Sequence, residues 1–464
     1  MIIPKKMVVS DTMKTRLSWL AILLLTLTLP ALAQSADSIQ VGPAELDSGD
    51  TVVFLGDSIT HQRLYTQYIE DFFITRYPSV RLQFHNAGIG GDKAWDALQR
   101  LDEDILAQSP ELVTILLGMN DGRYQAFDHE IFQTYQQDMT ELLDRLQASG
   151  TAVAPITPTM FDAQAARANL KRRPREASTL EQYNAVLAYF GTWLRDEADQ
   201  RGLRSIDMFS PLNDLTREAR LDDPDFTFIA DAVHPGPAGQ LIMAAAWLED
   251  LGMRSSVSNI VLVPTGKGYR ARVTGGTVSE LTSSQGTVEF DFLADALPWV
   301  TPEDTAVAAK LLRLDHRFSR EGFQVHGLPA GKYELMIDDT PIGEFTHTQL
   351  ASHIELQRFP STPQSVQAAK VVAMNKTRNE TTIKQLRDLW RYPRNLARDR
   401  RSLKEATEEK AKADLEAKVA AGEKRMEGFD EQRAALEKQA AEELAAIYEA
   451  AQPVRHHYSL RPVH

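Results

Sequence analysis

The 464-residue chain contains no cysteine. An exported form therefore has no disulfides and must draw its stability from core packing. No lipobox cysteine exists for a lipid anchor either. Metal catalysis loses support, since thiolate ligands are missing and histidines and carboxylates do not otherwise cluster. Positive charge is short: 51 Lys and Arg face 64 Asp and Glu, a formal net charge of -13. That balance argues against a general nucleic-acid binder. The apolar stretch from Leu17 to Leu29 is short for a transmembrane span. What is present is a 43% hydrophobic chain, enough for a substantial core and too long for one ordinary domain.

Lys14 and Arg16 precede that apolar stretch, and Pro30-Ala31-Leu32-Ala33-Gln34 follows it. Ala31 and Ala33 are the small residues expected before a secretory cleavage site, so residues 1–33 read as a signal peptide. Met13 begins a more ordinary signal than Met1 does. Removing residues 1–33 takes away Lys5, Lys6, Lys14, Arg16 and Asp11, which leaves the mature chain at -16. The expectation is a periplasmic or secreted protein with no stable membrane insertion after cleavage.

Gly56-Asp57-Ser58-Ile59-Thr60 directly follows the apolar run Thr51-Val52-Val53-Phe54-Leu55. This reads as a buried strand turning sharply into a helix. Ser58 then sits at a helix N-terminus, where unpaired N–H groups and the dipole favour an anion. Asn86-Ala87-Gly88-Ile89-Gly90-Gly91-Asp92 is a glycine-rich loop, Leu117-Gly118-Met119-Asn120-Asp121 ends another apolar run, and Asp231-Ala232-Val233-His234-Pro235 lies far beyond. A serine hydrolase needs a nucleophile, a base, a group to orient the base, and donors for the oxyanion. Ser58, His234 and Asp231 suit the first three roles. The N–H groups of Ser58 and Gly91 and the amide of Asn120 suit the last. Taken singly, each motif is as readily structural, as a turn or half a metal site. Together and in order they favour chemistry.

These four blocks resemble the SGNH (GDSL-like) hydrolase family across roughly Thr51 to Leu251. The resemblance implies an α/β fold with a flavodoxin-like parallel sheet. It also implies Ser58 as nucleophile, Asp231 and His234 as its partners, and Ser58, Gly91 and Asn120 as the oxyanion hole. No cofactor and no metal are called for. Gly91 fits best among Gly88, Gly90 and Gly91 because Asp92 follows it, although Lys93 stands where the family's Gly-Asp-Thr has threonine.

Strand-like runs at Val52–Leu55, Leu112–Leu117 and Ala152–Ile156 alternate with helical patterns at Leu64–Tyr77, Ala94–Leu106, Ile131–Ala148 and Leu180–Arg201. Alternation of this kind predicts a parallel sheet between helices, with ligands at the carboxyl ends of the strands. The hydrolase domain is placed at 34–254. Short strand-like runs between turns predict a small β-rich domain over 255–360. From 361 to 464 the chain reads as a charged helical tail. There Met426, Phe429, Leu436, Ala440, Leu444 and Ile447 form a stripe suited to docking on the chain's own body or to self-association. Gly422 is expected to separate two helices, and Trp390-Arg391-Tyr392-Pro393 to mark a turn.

The resemblance implies ester hydrolysis through an acyl-enzyme. Export with a β-rich companion favours an acylated poly- or oligosaccharide, chiefly O-acetylated. A lipolytic or thioester acylhydrolase and a non-catalytic glycan-binding scaffold are the alternatives. Lys171-Arg172-Arg173-Pro174-Arg175 could meet acidic groups on a glycan or be a solvated loop. His61 and Gln62 could touch substrate or line an ordinary helix face.

Overall fold

Val52, Val53, Phe54 and Leu55 are all fully buried, as expected of a strand covered on both faces. The computed structural model describes residues 38–253 and 256–463, so the signal peptide expected at 1–33 lies outside the described residues. A hairpin of β1 (Ser38–Val41) and β2 (Ala44–Asp47) precedes the main sheet. That sheet comprises β3 (Thr51–Gly56), β4 (Gln83–Gly88), β5 (Leu112–Leu116) and β6 (Ala152–Ile156), all parallel, in the order β4-β3-β5-β6. A parallel bridge from Ile156 to Ile206 extends it by a rudimentary fifth strand. The resulting order, second-first-third-fourth-fifth, is flavodoxin-like. Helices Leu64–Arg76 and Pro237–Asp250 pack together, while His129–Ala148 and Ala177–Gln200 pack on β6. The sequence predicts only the glycine-rich loop from Asn86 to Asp92 here and no strand, because Gln83-Phe84-His85-Asn86-Ala87-Gly88 carry no apolar run.

The second layer system holds β7 (Ser256–Thr265), β8 (Gly268–Thr274), β9 (Gly276–Ser284), β10 (Thr287–Ala294), β11 (Arg320–Val325), β12 (Lys332–Ile337), β13 (Thr340–Thr346), β14 (Ile354–Glu355) and β15 (Arg455–Pro462). Two sheets, β13-β12-β15-β10-β9 and β14-β11-β7-β8, enclose one core around Phe290, Phe323, Leu335 and Tyr458. The helical reading of 361–464 requires a correction here. Residues 455–462 form a strand at the centre of the five-stranded sheet, where Tyr458 stacks on Phe290 at 4.9 Å. The alternation of buried Tyr458 and Leu460 is too short to stand out beside the long helices before it.

Those helices dock on the α/β layer through buried polar contacts. Asn375 Nδ2 donates to Asp71 at 2.8 Å, and Arg378 pairs with Glu70 at 3.1 Å. Phe429, Ala440, Leu444, Ile447 and Tyr448 are buried within the chain, which consumes the predicted stripe. Gly422 does not break a helix. It lies inside Glu409–Arg425, where a Cβ would come within 3.0 Å of Leu396. The left-handed residue that starts the next helix is Gly428, with φ +73°. Trp390 likewise joins two helices, Lys384–Leu389 and Arg391–Glu405, rather than marking an open turn.

Candidate active site

Ser58 opens the four-residue helix Ser58–His61 directly after β3. Asp57 caps this helix, accepting the Ile59 N–H at 2.9 Å. The turn is tight because glycines flank it. A Cβ on Gly56 would lie 2.1 Å from Thr60 Oγ1, and one on Gly88 would lie 2.4 Å from the His61 nitrogen. The sequence thus lets β4 and the nucleophile turn touch backbone to backbone.

His234 sits in the loop before helix Pro237–Asp250. Its Nε2 is 2.8 Å from Ser58 Oγ, and its Nδ1 is 2.8 Å from Asp231 Oδ2. Asp231 Oδ1 meanwhile accepts the N–H groups of Val233 and His234, at 3.0 and 2.8 Å. The two carboxylate oxygens are thereby fixed, and so is the imidazole plane. Desolvation works against the anion of Asp231, but the His234 ring and these two N–H groups outweigh it and hold its pKa well below the usual carboxylate range. The arrangement can draw a proton from Ser58 while keeping the imidazolium paired.

Gly91 lies in the loop after β4, with φ +82°. Asn120 Nδ2 donates to Asp57 Oδ2 at 3.1 Å and to the Asp92 carbonyl at 3.0 Å. Both amide hydrogens are therefore engaged in this conformation, and serving an oxyanion means exchanging one of these bonds for it. Tyr124 fixes the amide's orientation by donating to Asn120 Oδ1 at 3.1 Å. Asp121 ties two blocks together, accepting from Ala94 at 2.9 Å and from Gly118 at 3.0 Å. Burial pushes both Asp57 and Asp121 up to about 7, against the lowering effect of the N–H groups they accept.

A cavity of about 510 Å³ adjoins Gly91 and Asn120 and is lined also by Lys93, Trp95, Arg123 and Arg398. A larger one, about 810 Å³, lies around Trp299, His316 and Glu355 and touches none of these residues.

His61 and Gln62 are engaged in packing. His61 Nδ1 faces the Gly88 carbonyl at 3.1 Å, and Gln62 accepts from Gln240 at 2.8 Å. Burial, with Arg387 beside it, pushes the His61 pKa down to about 4. The basic segment meets the site from outside. Arg173 donates to Asp231 Oδ2 at 2.9 Å, and the Arg175 guanidinium lies 4.9 Å from the centre of the Tyr124 ring. Sequence reasoning missed the contacts of Tyr124 and Arg173, and also Arg394 and Arg398, which reach the Gly91 loop from the C-terminal helices. A signal existed for the last two. Arg387, Arg391, Arg394, Arg398 and Arg401 recur at alternating steps of four and three, which puts them along one side of a helix.

Residues 54–242 match the GDSL-like Lipase/Acylhydrolase family. An acetylxylan esterase of Geobacillus stearothermophilus is 24% identical over 230 residues, covering 45% of this chain and 96% of that protein. A crystal structure of an acetylxylan esterase from that organism overlaps 47% of this chain and 98% of its own, at 22% identity and a TM-score of 0.37. A gut microbial diltiazem-metabolizing enzyme covers far more, 92% of this chain and 100% of its own, at 26% identity and a TM-score of 0.76. Its likeness extends through the β layers and C-terminal helices as well as the parallel sheet. The likeness to GDSL-like lipases and acylhydrolases thus lies in residues 54–242, the segment that carries Ser58, Gly91, Asn120, Asp231 and His234.

Proposed function

We propose that this chain is an exported serine esterase that removes O-acyl groups, chiefly O-acetyl, from carbohydrate through an acyl-enzyme on Ser58. The observation that carries the reading is the hydrogen-bonded row Ser58 Oγ, His234 and Asp231, with both links at 2.8 Å. Ser58 Oγ attacks the ester carbonyl carbon while its proton passes to His234 Nε2. The carbonyl oxygen becomes an oxyanion facing the N–H groups of Ser58 and Gly91 and the Asn120 amide. Collapse breaks the bond to the sugar oxygen, which leaves as the alcohol with the proton from His234. Water then enters by the same route in reverse, giving the free acid and restoring Ser58. Asp231 keeps the ring in the tautomer that leaves Nε2 free to accept.

The carbohydrate reading leans on the acetylxylan esterase relative and on the mixed polar and aromatic lining of the cavity beside Gly91 and Asn120. Export leans on the reading of residues 1–33. Among the described residues no helix is long and apolar enough to cross a membrane. A second reading is hydrolysis of a small non-carbohydrate ester, favoured by the diltiazem-metabolizing neighbour that covers nearly the whole chain.

The test measures acetate released from a panel of acetylated polysaccharides by the wild type and by Ser58→Ala. Ser58→Ala is expected to lose roughly 10⁴-fold or more in kcat. Acetate release by the wild type alone supports the carbohydrate reading. If the wild type spares every glycan but turns over diltiazem or aryl acetates, the second reading replaces it. Equal turnover by Ser58→Ala would overturn both.

A further inference from the structure

Three tail arginines point their guanidinium groups at backbone carbonyls of the loop that carries Gly91. Arg387 Nε is 3.4 Å from the Gly88 carbonyl, Arg394 Nη2 is 2.6 Å from that of Gly90, and Arg398 Nη2 is 2.7 Å from that of Gly91. These residues come from helices Lys384–Leu389 and Arg391–Glu405, far outside the segment matched by the family. Arg387 and Arg394 are buried. Their remaining nitrogens are anchored on carboxylates of the same region. Arg387 grips Asp104 at 3.0 and 2.7 Å and Arg398 pairs with Asp96 at 2.5 Å, whereas Arg394 Nε faces Asp92 Oδ1 at 3.3 Å as an ion pair without hydrogen-bond geometry.

The Gly90 carbonyl has a specific meaning. It belongs to the same peptide unit as the Gly91 N–H. In a planar trans peptide the C=O and N–H point in opposite directions. Turning the Gly90 oxygen towards Arg394 therefore turns the Gly91 hydrogen away from the tail. The Ser58 side chain lies close to this peptide, since a Cβ built on Gly90 would be 3.9 Å from Ser58 Cβ. Gly91, at φ +82° and with nothing within 4 Å of a Cβ position, has little packing of its own to fix its orientation. A charge-assisted bond on a carbonyl also polarises the whole peptide and makes its N–H a better donor.

We propose that Arg394, supported by Arg398, is a positioning residue for ester hydrolysis, setting the direction and donor strength of the Gly91 N–H in the oxyanion hole. The C-terminal helices are then part of the catalytic apparatus. The inference rests on the serine-esterase reading above. Neither arginine is required to touch substrate. The effect runs through the Gly90–Gly91 peptide, so it belongs to the transition state, where the oxyanion exists, more than to the bound ester.

The test uses the full chain and 4-nitrophenyl acetate, with Arg394→Ala, Arg394→Lys, Arg398→Ala and, as a control, Arg400→Ala, whose side chain pairs with Glu423. Losing a whole oxyanion donor costs about 10²–10³ in kcat. Misdirecting one is therefore expected to cost about 10- to 100-fold, with KM changed less than about threefold. Affinity for a boronate transition-state analogue should fall in parallel with kcat. Arg394→Lys and added guanidinium should each recover part of the loss in Arg394→Ala. Arg398→Ala should shift kcat in the same direction by less, and Arg400→Ala should match the wild type. Rates are normalised to the folded fraction from thermal unfolding, so a variant that merely misfolds does not mimic the effect. Wild-type kcat in folded Arg394→Ala overturns the inference, as does a loss confined to KM or one that neither lysine nor guanidinium recovers. Ser58→Ala is run alongside. Full turnover there sinks the esterase reading itself, whereas a dead Ser58→Ala with an unimpaired Arg394→Ala sinks only the role of the tail.

Discussion

Gly88 and Gly91 belong to one loop region but answer different demands. At Gly88 the obstacle is space, because a Cβ would lie 2.4 Å from the His61 nitrogen and 2.6 Å from the Thr60 carbonyl carbon. Both are backbone atoms that cannot rotate away. Gly88→Ala must push the nucleophile turn off β4, at about 1–3 kcal/mol by the usual cost of overpacking. At Gly91 space is open and the obstacle is the backbone angle, φ +82°. Gly91→Ala is expected to cost about 1–2 kcal/mol for that reason alone. Asparagine separates the two mechanisms, since it tolerates left-handed angles but is larger than alanine. Thermal unfolding should show Gly91→Asn recovering much of the loss in Gly91→Ala, and Gly88→Asn falling below Gly88→Ala. The opposite order would mean that the loop's limits have been assigned to the wrong cause. At this scale the sequence is informative because each block is local. Gly-Asp-Ser and Asp-x-x-His carry their own turn geometry, and the structure brings Ser58, His234 and Asp231 into one row. Arg173 and Tyr124 are different. Arg173 reaches Asp231 from 58 residues away, and Tyr124, though only four residues from Asn120, lies in no pattern that demands the contact.

Between elements, the decisive contacts are ionic and buried. Arg387 has no exposure, and neither does Asp104, its partner on the segment after helix Ala94–Gln99. Asp104 also receives Arg100 at 2.5 Å and His85 at 2.9 Å. Burial works against its anion, but Arg387, the hydrogen bond to His85 and Arg100 outweigh it and hold its pKa well below the usual carboxylate range. Breaking a buried pair from one side costs about 3–5 kcal/mol, since the partner is left uncompensated. Here two other partners remain, so Arg387→Ala should fall near 3 kcal/mol by denaturant unfolding. A loss under about 1 kcal/mol would mean that the tail docks by its apolar residues, such as Leu386 and Trp390 in the cluster with Ile89, and not by charge. This is also why the tail was hard to read from sequence. A helix rich in Arg and Glu ordinarily presents a solvated face. Nothing in the local pattern says that Arg387 will meet an aspartate nearly three hundred residues earlier. The central strand β15 was hidden for a related reason, since its pairing partners β10 and β12 lie far back in the chain.

Across the whole molecule, burial of carboxyl groups sets a pH dependence opposite to that of acid-labile ion pairs. Desolvation raises Asp57, Asp121 and Glu321 to about 7 and Asp92 to about 6. In the unfolded chain the same groups ionise near pH 4. Between these limits the folded state holds protons that the unfolded state has lost, so stability falls as pH rises through the window. The contribution is fully present below the unfolded value and is gone above the folded one. Asp104 and Asp231 run the other way. Their folded values are depressed, so the stability they add is present above about pH 4 and is lost on further acidification. The two sets together predict a thermal midpoint that peaks between about pH 4 and 6 and declines towards pH 8. Glu321 allows the cause to be isolated. It lies in β11 beside Arg76, Gln364 donates to its Oε1 at 3.3 Å, and its Oε2 has no hydrogen-bond partner. Glu321→Gln removes the titration without touching the Ser58 region. It should raise the midpoint at pH 8, leave it nearly unchanged at pH 5, and leave kcat unaltered. If the wild-type midpoint instead climbs steadily from pH 5 to 8, these carboxyls ionise at ordinary values in the folded protein. Their burial must then be relieved by water, and the dry packing around Asp57, Asp92, Asp121 and Glu321 would have to be loosened accordingly.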